Sequence, residues 1–369
     1  MRRVFVLVFF FFLLNFGCIS LDFLNQKPTS QPPISSESLN VNNNNLSNTQ
    51  NKSNNSNDTL NNSGSGEVLD VIPTKEIFVN ETEPQNFTEK IEIIKPKIPH
   101  DIAEIYFFDV GFGDATLIRT NSVTILIGSG PKASSFFLVE KLKALGVKKI
   151  DEFILDSWLD TKIGGAPLIL KRFTVERVWA PRNIPKSSLA SEVSSLIKQN
   201  NIVVYNPVAS DILSSGELKI EVLNPPKEDY FLHPEANSIV LRIFYGNFCL
   251  FLTSDIDQEL EPNIISLLDN KTCQIFKWRK NGEGRPTPSI LFDRLKPNDV
   301  IISVGPNPNN LYPSSYTLTL LQIAKVGVYR TDLDKDIFIN ASTSGVYYIT
   351  TKADLKNLGE WYSKTDAAS

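Results

Sequence analysis

The side chains that most often perform chemistry in proteins are scarce in this sequence. Histidine is the commonest zinc ligand and the usual acid–base group near neutral pH, and the chain has two of them, His100 and His233. A site that needs three or more histidines therefore cannot be built from this chain alone. This count excludes a conventional His-rich metallohydrolase.

Composition narrows the classes of protein further. The 369 residues are 41% hydrophobic and 21% charged, with a formal net charge of -4. This apolar fraction can fill the core of one large or two modest domains, which excludes a wholly disordered chain. The mild negative charge argues against a globally cationic nucleic-acid-binding protein, although it is compatible with a local basic patch.

Two of the three cysteines fall in or beside predicted strands. Cys249 lies in the strand FCLFLTSD, and Cys273 opens the next strand along the chain. The two sulfur atoms could therefore lie on neighbouring strands and form a disulfide. The alternative is a pair of separate buried thiols, and the sequence leaves both interpretations open.

The elements that must position these groups begin after an N-terminal export signal. Two arginines precede an unbroken apolar run from Val4 to Leu14, which is shorter than the roughly 18 to 20 residues needed to cross a bilayer and is typical of a signal peptide. The stretch LLNFGC resembles a lipoprotein lipobox in which Cys18 would carry lipid, with Asn15 where Leu is preferred. A plain cleaved signal and an uncleaved anchor are the alternatives. Each predicts a domain on the extracellular face of the cell membrane, held there by its N-terminal anchor or secreted.

A polar segment separates this signal from the globular part. We predict a signal peptide over residues 1–18, a disordered Asn/Ser-rich tether over 19–99, a globular domain over 100–353 and a C-terminal tail over 354–369. A flexible coil of this length reaches about 50 Å. The sequence contains N-x-[ST] acceptor motifs for N-glycosylation. One interpretation is a glycosylated tether, and the other is that such motifs arise by chance in an Asn-rich tract. The motifs begin at Asn45, Asn51, Asn54, Asn57, Asn61, Asn80, Asn86, Asn270 and Asn340.

The globular part alternates short β-rich runs with amphipathic helical stretches. Segments such as AEIYFFDV, VTILIGS, EFILD and SIVLRIFYG are typical of strands. In SSLASEVSSLIKQN, the residues Leu189, Val193 and Ile197 share one helical face, and Ser314 or Ser315 is a predicted N-cap of a later helix. About a dozen strands with four or five helices predict two sheets flanked by helices.

Several of these segments resemble the ComEC-type metallo-β-lactamase-fold domains. YFFDVGFGDATLI followed by VTILIGSGP is similar to the family pattern FxDVGQGDAxLI and its strand ending in LIDTGP. SWLDTK stands where the family has HxHxDH, and NSIVLRIFYGNFCLFLTSD and YRTD match later family segments in order. The resemblance implies an α/β, four-layer αββα sandwich whose metal site lies at one edge, where strand-end loops from both halves converge.

The family's metal-ligand positions hold other residue types in this chain. They are occupied by Gly128, Ser157, Leu159, Thr161, Lys162, Arg279, Lys280 and Tyr312. Only Asp255, in the segment that matches the family's TGD, keeps a ligand residue. One carboxylate cannot supply the three or four ligands of a zinc site, so we expect no metal and no other cofactor. Asp160 is one residue out of register and could join Asp255 in a weak Mg²⁺ or Ca²⁺ site.

Basic residues replace several of the ligands that the resemblance places near Asp255. Lys162, Arg279 and Lys280, with Lys277 or Arg285, would surround this carboxylate and stand in for the positive charge of a metal. One interpretation is a cationic pocket that holds a phosphate or carboxylate without cleaving it. The other is that one of these bases simply pairs with Asp255.

Other conspicuous residues are expected to be structural. Asp109 and Asp114 belong to the DVGFGD turn, where carboxylates can bond local backbone N–H groups. Trp158 is expected to cover the former site, and both histidines are expected at the surface or at helix caps because they fall outside the family's ligand positions.

The sequence therefore favours an exported binding or scaffolding domain without catalytic residues. Another envelope protein or an anionic polymer is the expected partner, and nucleic-acid binding has no support from retained catalytic residues. The alternative is a residual metal-dependent hydrolase, phosphodiesterase-like or nuclease-like, that uses Asp255 and Asp160 and is related to the DNA-uptake competence family.

Overall fold

The computed structural model describes residues 98–228, 233–306 and 311–352, all within one compact unit of the chain, Phe87–Ser369. The predicted signal peptide with Cys18, nearly all of the tether, and the C-terminal tail lie outside the described residues. The sequons at Asn270 and Asn340 lie inside them.

Fifteen strands are present in the described residues. In chain order they are β1 Ile102–Phe107, β2 Thr116–Arg119, β3 Thr124–Ile127, β4 Lys149–Ile154, β5 Thr174–Trp179, β6 Val203–Tyr205, β7 Ile212–Ser215, β8 Leu218–Asn224, β9 Val240–Tyr245, β10 Phe248–Leu252, β11 Ile275–Lys277, β12 Asp299–Ile302, β13 Gly327–Arg330, β14 Ile337–Ser342 and β15 Tyr347–Thr351.

Two mixed sheets contain these strands. The first sheet has the order β15-β14-β1-β2-β3-β4-β5-β6, and the second has the order β13-β12-β11-β10-β9-β8-β7. In the first, β3, β4, β5 and β6 run parallel, and in the second, β10, β11, β12 and β13 run parallel. Parallel neighbours bring their carboxyl ends to one edge of a sheet, and loops at that edge commonly carry the functional residues.

Eight α-helices lie among the described residues. They are α1 Ser135–Ala144, α2 Asp160–Ile163, α3 Ala166–Arg172, α4 Ser188–Gln199, α5 Glu261–Ile265, α6 Ile290–Leu295, α7 Ser315–Ala324 and α8 Thr331–Asp334. Ser187, Ser289 and Ser314 cap α4, α6 and α7, because each side-chain oxygen accepts a hydrogen bond from a backbone N–H in the first helical turn.

Three apolar clusters define four layers. The central cluster joins inward residues of both sheets, such as Ile125 and Trp179 of the first and Ile220 and Leu250 of the second. A second cluster packs α1, α3 and α4 on the outer face of the first sheet, and a third packs α5, α6 and α7 on the second sheet. The architecture is helix, sheet, sheet, helix, as expected from the strand and helix pattern.

The helical faces predicted from the sequence are confirmed in detail. Val193 and Ile197 of α4 are buried against the first sheet, and Ser314 rather than Ser315 is the cap of α7. No helix in the described part of the chain is long and apolar enough to span a membrane.

Candidate functional site

Five buried charged residues converge at the edge where strands of both sheets end. We call Asp114, Asp156, Lys162, Asp255 and Lys277 the central charge cluster. Asp114 closes the turn between β1 and β2, Asp156 follows β4 by two residues, and Lys162 lies in α2. Asp255 follows β10, and Lys277 ends β11. Each of the five side chains is less than a tenth exposed.

Two ammonium groups lie between three carboxylates in this cluster. Lys162 Nζ contacts Asp114 Oδ2 and is 3.2 Å from Asp255 Oδ1 and 3.6 Å from Asp156 Oδ2. Lys277 Nζ is 2.5 Å from the second oxygen of Asp114, Oδ1. The two lysines therefore bridge carboxylates that come from both halves of the sandwich.

Hydrogen bonds to neighbouring main-chain and hydroxyl groups fix these residues. Both the backbone N–H and the hydroxyl of Ser129 donate to the carbonyl oxygen of Lys162, at 2.7 and 2.9 Å. The hydroxyl of Thr253 donates to the carbonyl oxygen of Lys277 at 2.8 Å, and that of Ser254 donates to Asp156 Oδ2 at 2.6 Å. The last bond joins the two sheets directly.

Burial changes the protonation of the cluster. It raises the pKa of the Asp156 carboxyl to about 7, against the effect of the Ser254 hydrogen bond, and the neighbouring Asp255 raises it further. Burial also lowers the pKa of Lys162 and of Lys277 to about 8, although nearby Asp255 opposes both changes. When Asp156 is protonated, two carboxylates face two ammonium groups, and the cluster is neutral.

Some polar atoms of the cluster lack hydrogen-bond partners among the described residues. They include Asp156 Oδ1 and the hydroxyl of Ser157, which is completely buried. Asp114 Oδ1 accepts no hydrogen bond there either, and its contact with Lys277 is an ion pair of unfavourable hydrogen-bond geometry. Buried polar groups are usually satisfied, so these atoms distinguish the cluster from an ordinary structural ion pair.

Arg279 and Lys280, which the sequence places around Asp255, pair with other carboxylates. Arg279 lies 2.5 Å from Glu261 Oε1 and donates a 2.7 Å hydrogen bond to Gln258. Lys280 lies 2.5 Å from Asp257 in a partly exposed pair. Lys162 is therefore the predicted base that reaches Asp255, and Lys277 joins the same cluster. Arg285 contacts Glu259 at the surface instead.

The remaining predicted site residues are not members of the central charge cluster. Leu159 is partly buried just before α2, and Asp160 is exposed at its first position. Tyr312 is partly exposed and packs edge-on against Phe112, with ring centroids 6.4 Å apart. Asp160 is not an ion-pair partner of any member of the cluster in the described part of the chain.

Trp158 and the two histidines have structural surroundings. The Trp158 ring is buried, and its Nε1–H donates to the carbonyl oxygen of Pro181 at 2.8 Å. The exposed His100 ring contacts the Asn121 amide, and the backbone oxygen of His233 accepts from Asn237.

The DVGFGD turn divides its two carboxylates between different roles. Asp109 accepts a local hydrogen bond from the Gly111 N–H, as the sequence predicted, and its own N–H donates to Asp336. Asp114 instead points into the central charge cluster, where it pairs with Lys162 and Lys277. A side chain at Gly113 would collide with the carbonyl oxygen of Thr161, so this glycine allows the turn to approach α2.

A groove lies outside the cluster, between α7 and the segment before α6. Its volume is about 360 Å³, and it is lined by residues that include Arg285, Pro286, Tyr316, Leu320 and Ile323.

A disulfide bond lies on the second sheet. The sulfur atoms of Cys249 and Cys273 lie at bonding distance, with their Cα atoms 4.7 Å apart. This disulfide uses the neighbouring positions of β10 and the start of β11.

Two curated relatives match the globular part in sequence. ComE operon protein 3 of Bacillus subtilis (strain 168) is 27% identical over 248 residues, which is 62% of this chain and 32% of that protein. Competence protein ComA of Neisseria gonorrhoeae is 20% identical over 251 residues, 68% of this chain and 34% of that protein. The chain therefore spans about a third of the length of these relatives. No family model matches it.

The order of matching segments, the two packed sheets and these relatives agree. The globular part is a ComEC-type metallo-β-lactamase-fold domain. Solved structures similar to this ComEC-type domain include the metallo-β-lactamase-fold protein YhfI of Bacillus subtilis, with 11% identity, a TM-score of 0.43 and coverage of 68% of this chain and 99% of that one. They also include Tm1679, a metal-dependent hydrolase of the β-lactamase superfamily, with 9% identity, a TM-score of 0.43 and coverage of 68% and 100%.

The residues at the family's metal position do not fit a metal ion. No group of three or more His, Cys, Asp or Glu side chains suited to a metal occurs in the described part of the ComEC-type domain. The three carboxylates of the cluster converge on ammonium groups, and Lys162 Nζ lies within ion-pair distance of all three. A divalent cation placed among them would be repelled by both lysines and would lose the oxygen ligands that the lysines occupy.

Two members of this cluster were not expected there from the sequence. Asp114 and Asp156 had the available signal of a carboxylate two residues before or after a strand of the first sheet. Asp156 also directly precedes Ser157, the first of the replaced ligand positions. Reading the positions beside the family's ligands, and not only the ligand positions themselves, would have found it.

Proposed function

We propose that this ComEC-type domain is a non-catalytic binding or scaffolding domain in which lysine ammonium groups have taken the place of the metal. The observation that carries the proposal is the position of Lys162, which is 1% exposed and bridges Asp114, Asp156 and Asp255. A closed, charge-balanced cluster supports the fold and leaves no open position for a substrate oxygen or an attacking water.

Metal analysis and a phosphodiesterase assay test this proposal together. The full chain, purified without chelators, is expected to hold no stoichiometric metal and to cleave neither a chromogenic phosphodiester nor DNA in Mg²⁺ or Mn²⁺. The matched control is Asp255→Asn, because Asp255 keeps the family's ligand residue. Stoichiometric bound metal, or turnover that is lost in Asp255→Asn, would establish the residual hydrolase instead.

We further propose that the domain acts outside the cytoplasm, anchored at the cell membrane. The N-terminal apolar run and the Asn/Ser-rich tether support this location, and so does the Cys249–Cys273 disulfide, because disulfides persist in oxidising compartments. Thiol titration of the denatured, unreduced chain checks the disulfide. Titration of only one cysteine, or of none if Cys18 is lipidated, is expected, whereas two additional free thiols would contradict it.

The partner that we propose is another envelope protein or an anionic polymer, bound by the outer surface rather than by the cluster. The closed cluster supports this restriction, because its charges are already neutralised within the fold. Binding of a labelled polyphosphate to the full chain, followed by fluorescence anisotropy at increasing salt, tests the polymer. Binding that depends on Lys162 would place the ligand in the cluster and contradict the proposal.

A further inference from the structure

The central charge cluster contains the parts needed for a reaction between two of its own side chains. Lys162 Nζ contacts the carboxylate of Asp114, and the two side chains are 1% and 6% exposed. Lys277 lies against the other oxygen of the same carboxylate, and Asp156 lies 3.6 Å from the Lys162 nitrogen. An amine, a carboxyl group, a second cation and a second acid thus meet in a site that excludes bulk water.

We propose that Lys162 and Asp114 form an intramolecular isopeptide bond. The nitrogen Nζ of Lys162 becomes joined to the carbon Cγ of Asp114 as a secondary amide. This inference goes beyond the proposed binding or scaffolding function. The amide would replace the Lys162–Asp114 ion pair, and it would leave the cluster closed to a substrate.

The step is a dehydration that needs no oxidant, reductant or further reactant. The Lys162 ammonium group first passes one proton to the Asp114 carboxylate with which it is paired. The lone pair of the resulting neutral amine then attacks Asp114 Cγ, and the new N–C bond forms. The bond between Cγ and one carboxyl oxygen then breaks, and that oxygen leaves as water with two protons, one from the amine and one from the carboxyl group. The products are one amide and one water molecule.

Two neighbours are placed to assist this step. The ammonium group of Lys277, 2.5 Å from Asp114 Oδ1, can stabilise the negative charge that develops on that oxygen during attack. Asp156 can accept a proton from the attacking nitrogen and return it to the departing oxygen.

The contacts select Asp114 over the other carboxylates as the acceptor. Asp255 is 3.2 Å from Lys162 Nζ, but in the described residues its only ion-pair partner is Lys162. Asp114 has the reacting Lys162 nitrogen at one oxygen and the ammonium group of Lys277 at the other. Its carbonyl carbon is therefore the most strongly polarised of the three, and the reacting groups are already held together by the fold.

The consequence of the bond is a covalent connection between the β1–β2 turn and α2. These two segments are separated in the sequence by β2, β3, α1 and β4, so the cross-link closes a long loop. Closing a long loop restricts the unfolded chain and stabilises the folded state by the same principle as a disulfide. Unlike a disulfide, the amide would survive reducing agents.

Peptide mapping of the full chain tests the proposal directly. The folded protein is purified, denatured, reduced and digested, and the peptides are sequenced by mass spectrometry. We expect one branched peptide that joins the Lys162 and Asp114 segments and is lighter by one water than their sum. Recovery of the two segments as separate, unmodified peptides would overturn the proposal, and a branch to Asp255 or from Lys277 would overturn the assignment.

Matched variants distinguish the bond from tight ion pairing. Lys162→Arg keeps the positive charge but removes the attacking amine, so the branched peptide should be absent. Lys280→Arg makes the same change in a lysine outside the cluster, and its branched peptide should persist. Asp114→Asn should give the same branched mass as the wild type, because ammonia leaves in place of water. If Lys162→Arg fails to fold, the wild-type and Asp114→Asn maps still decide the question.

Discussion

Two groups of buried charges lie at the same edge of the sandwich and are satisfied in different ways. In the first group, Glu261 is completely buried, and each of its oxygens has a hydrogen-bond donor. Arg279 and the Ser289 hydroxyl donate to Oε1, and the Leu291 N–H donates to Oε2. In the central charge cluster, ion pairs are short, yet Asp156 Oδ1 has no donor in the described residues.

The Glu261–Arg279 pair is completed by hydrogen bonds, whereas the central charge cluster is held together mainly by ion pairs. Glu261 begins α5 and Arg279 follows β11 by two residues, and donors from Ser289 and Leu291 complete the geometry of the pair. The central cluster combines residues that follow or precede strands of both sheets. Its lysines neutralise the charge, but neither lysine makes a hydrogen bond to Asp156 Oδ1 in the described residues.

The strongest test of this comparison is removal of the central cation. We expect Lys162→Met to destabilise the fold by about 3 to 5 kcal/mol, because it leaves three buried carboxylates with one ammonium group. The direction is the same if Lys162 is linked to Asp114, since the cross-link is lost as well. Urea denaturation of the wild type and the variant measures the change. A decrease of less than about 1 kcal/mol in the free energy of unfolding would show that the Lys162 ion pairs do not stabilise this edge of the sandwich.

Removal of the cation from the hydrogen-bonded pair should have a smaller effect. We expect Arg279→Met to lower the free energy of unfolding by about 2 to 3 kcal/mol, because Glu261 keeps its donors from Ser289 and Leu291. The same urea titration measures it. A loss equal to or greater than that of Lys162→Met would contradict the distinction between the two groups.

The pH dependence of stability provides a third test. Because burial raises the pKa of Asp156 from 3.8 to about 7, the folded state binds more protons than the unfolded state between these values. Stability should therefore fall as the pH rises from about 4 to about 7, by about 2 kcal/mol in total after water entry and relaxation.

The matched variant for this test is Asp156→Asn, which keeps the size of the side chain and removes its titration. Thermal unfolding across the same pH range should show a shallower decline for the variant than for the wild type. Parallel curves would mean that Asp156 remains ionised in the folded state and that the cluster tolerates an excess negative charge.

The smallest effect is expected at the partly exposed pair of Lys280 and Asp257. Lys280→Ala should change the free energy of unfolding by at most about 1 kcal/mol, because solvent screens the pair. Repeating the urea titration in high salt provides the control, since the small difference should shrink further there. A larger loss would indicate that Lys280 contributes to the central cluster after all.

The fold was predictable because its signals are local and repeated. Strand runs, the apolar face of α4 and the cap at Ser314 each specify one element, and the ordered motifs specify how the elements assemble. The burial of Lys162 near Asp255 was also predictable, since both occupy ligand positions of the family.

The directions of the other cations were not predictable in the same way. A ligand position predicts where the backbone lies, but the direction of a long side chain depends on the nearest carboxylate. Arg279 and Lys280 find Glu261 and Asp257, which lie within six residues of Asp255 in the sequence and had not been considered as competitors. Asp114 lies in a turn motif that predicts local hydrogen bonds, yet its side chain points into the central charge cluster.

Gly128 determines how closely the end of β3 can approach the β1–β2 turn. Its φ is +67°, and a Cβ atom there would lie 2.5 Å from the carbonyl oxygen of Asp114. Any side chain at this position, including the aspartate that the ComEC-type pattern has there, would therefore require the backbone beside Asp114 to move. The entry of Asp114 into the central charge cluster thus depends on the absence of a side chain from the neighbouring strand end.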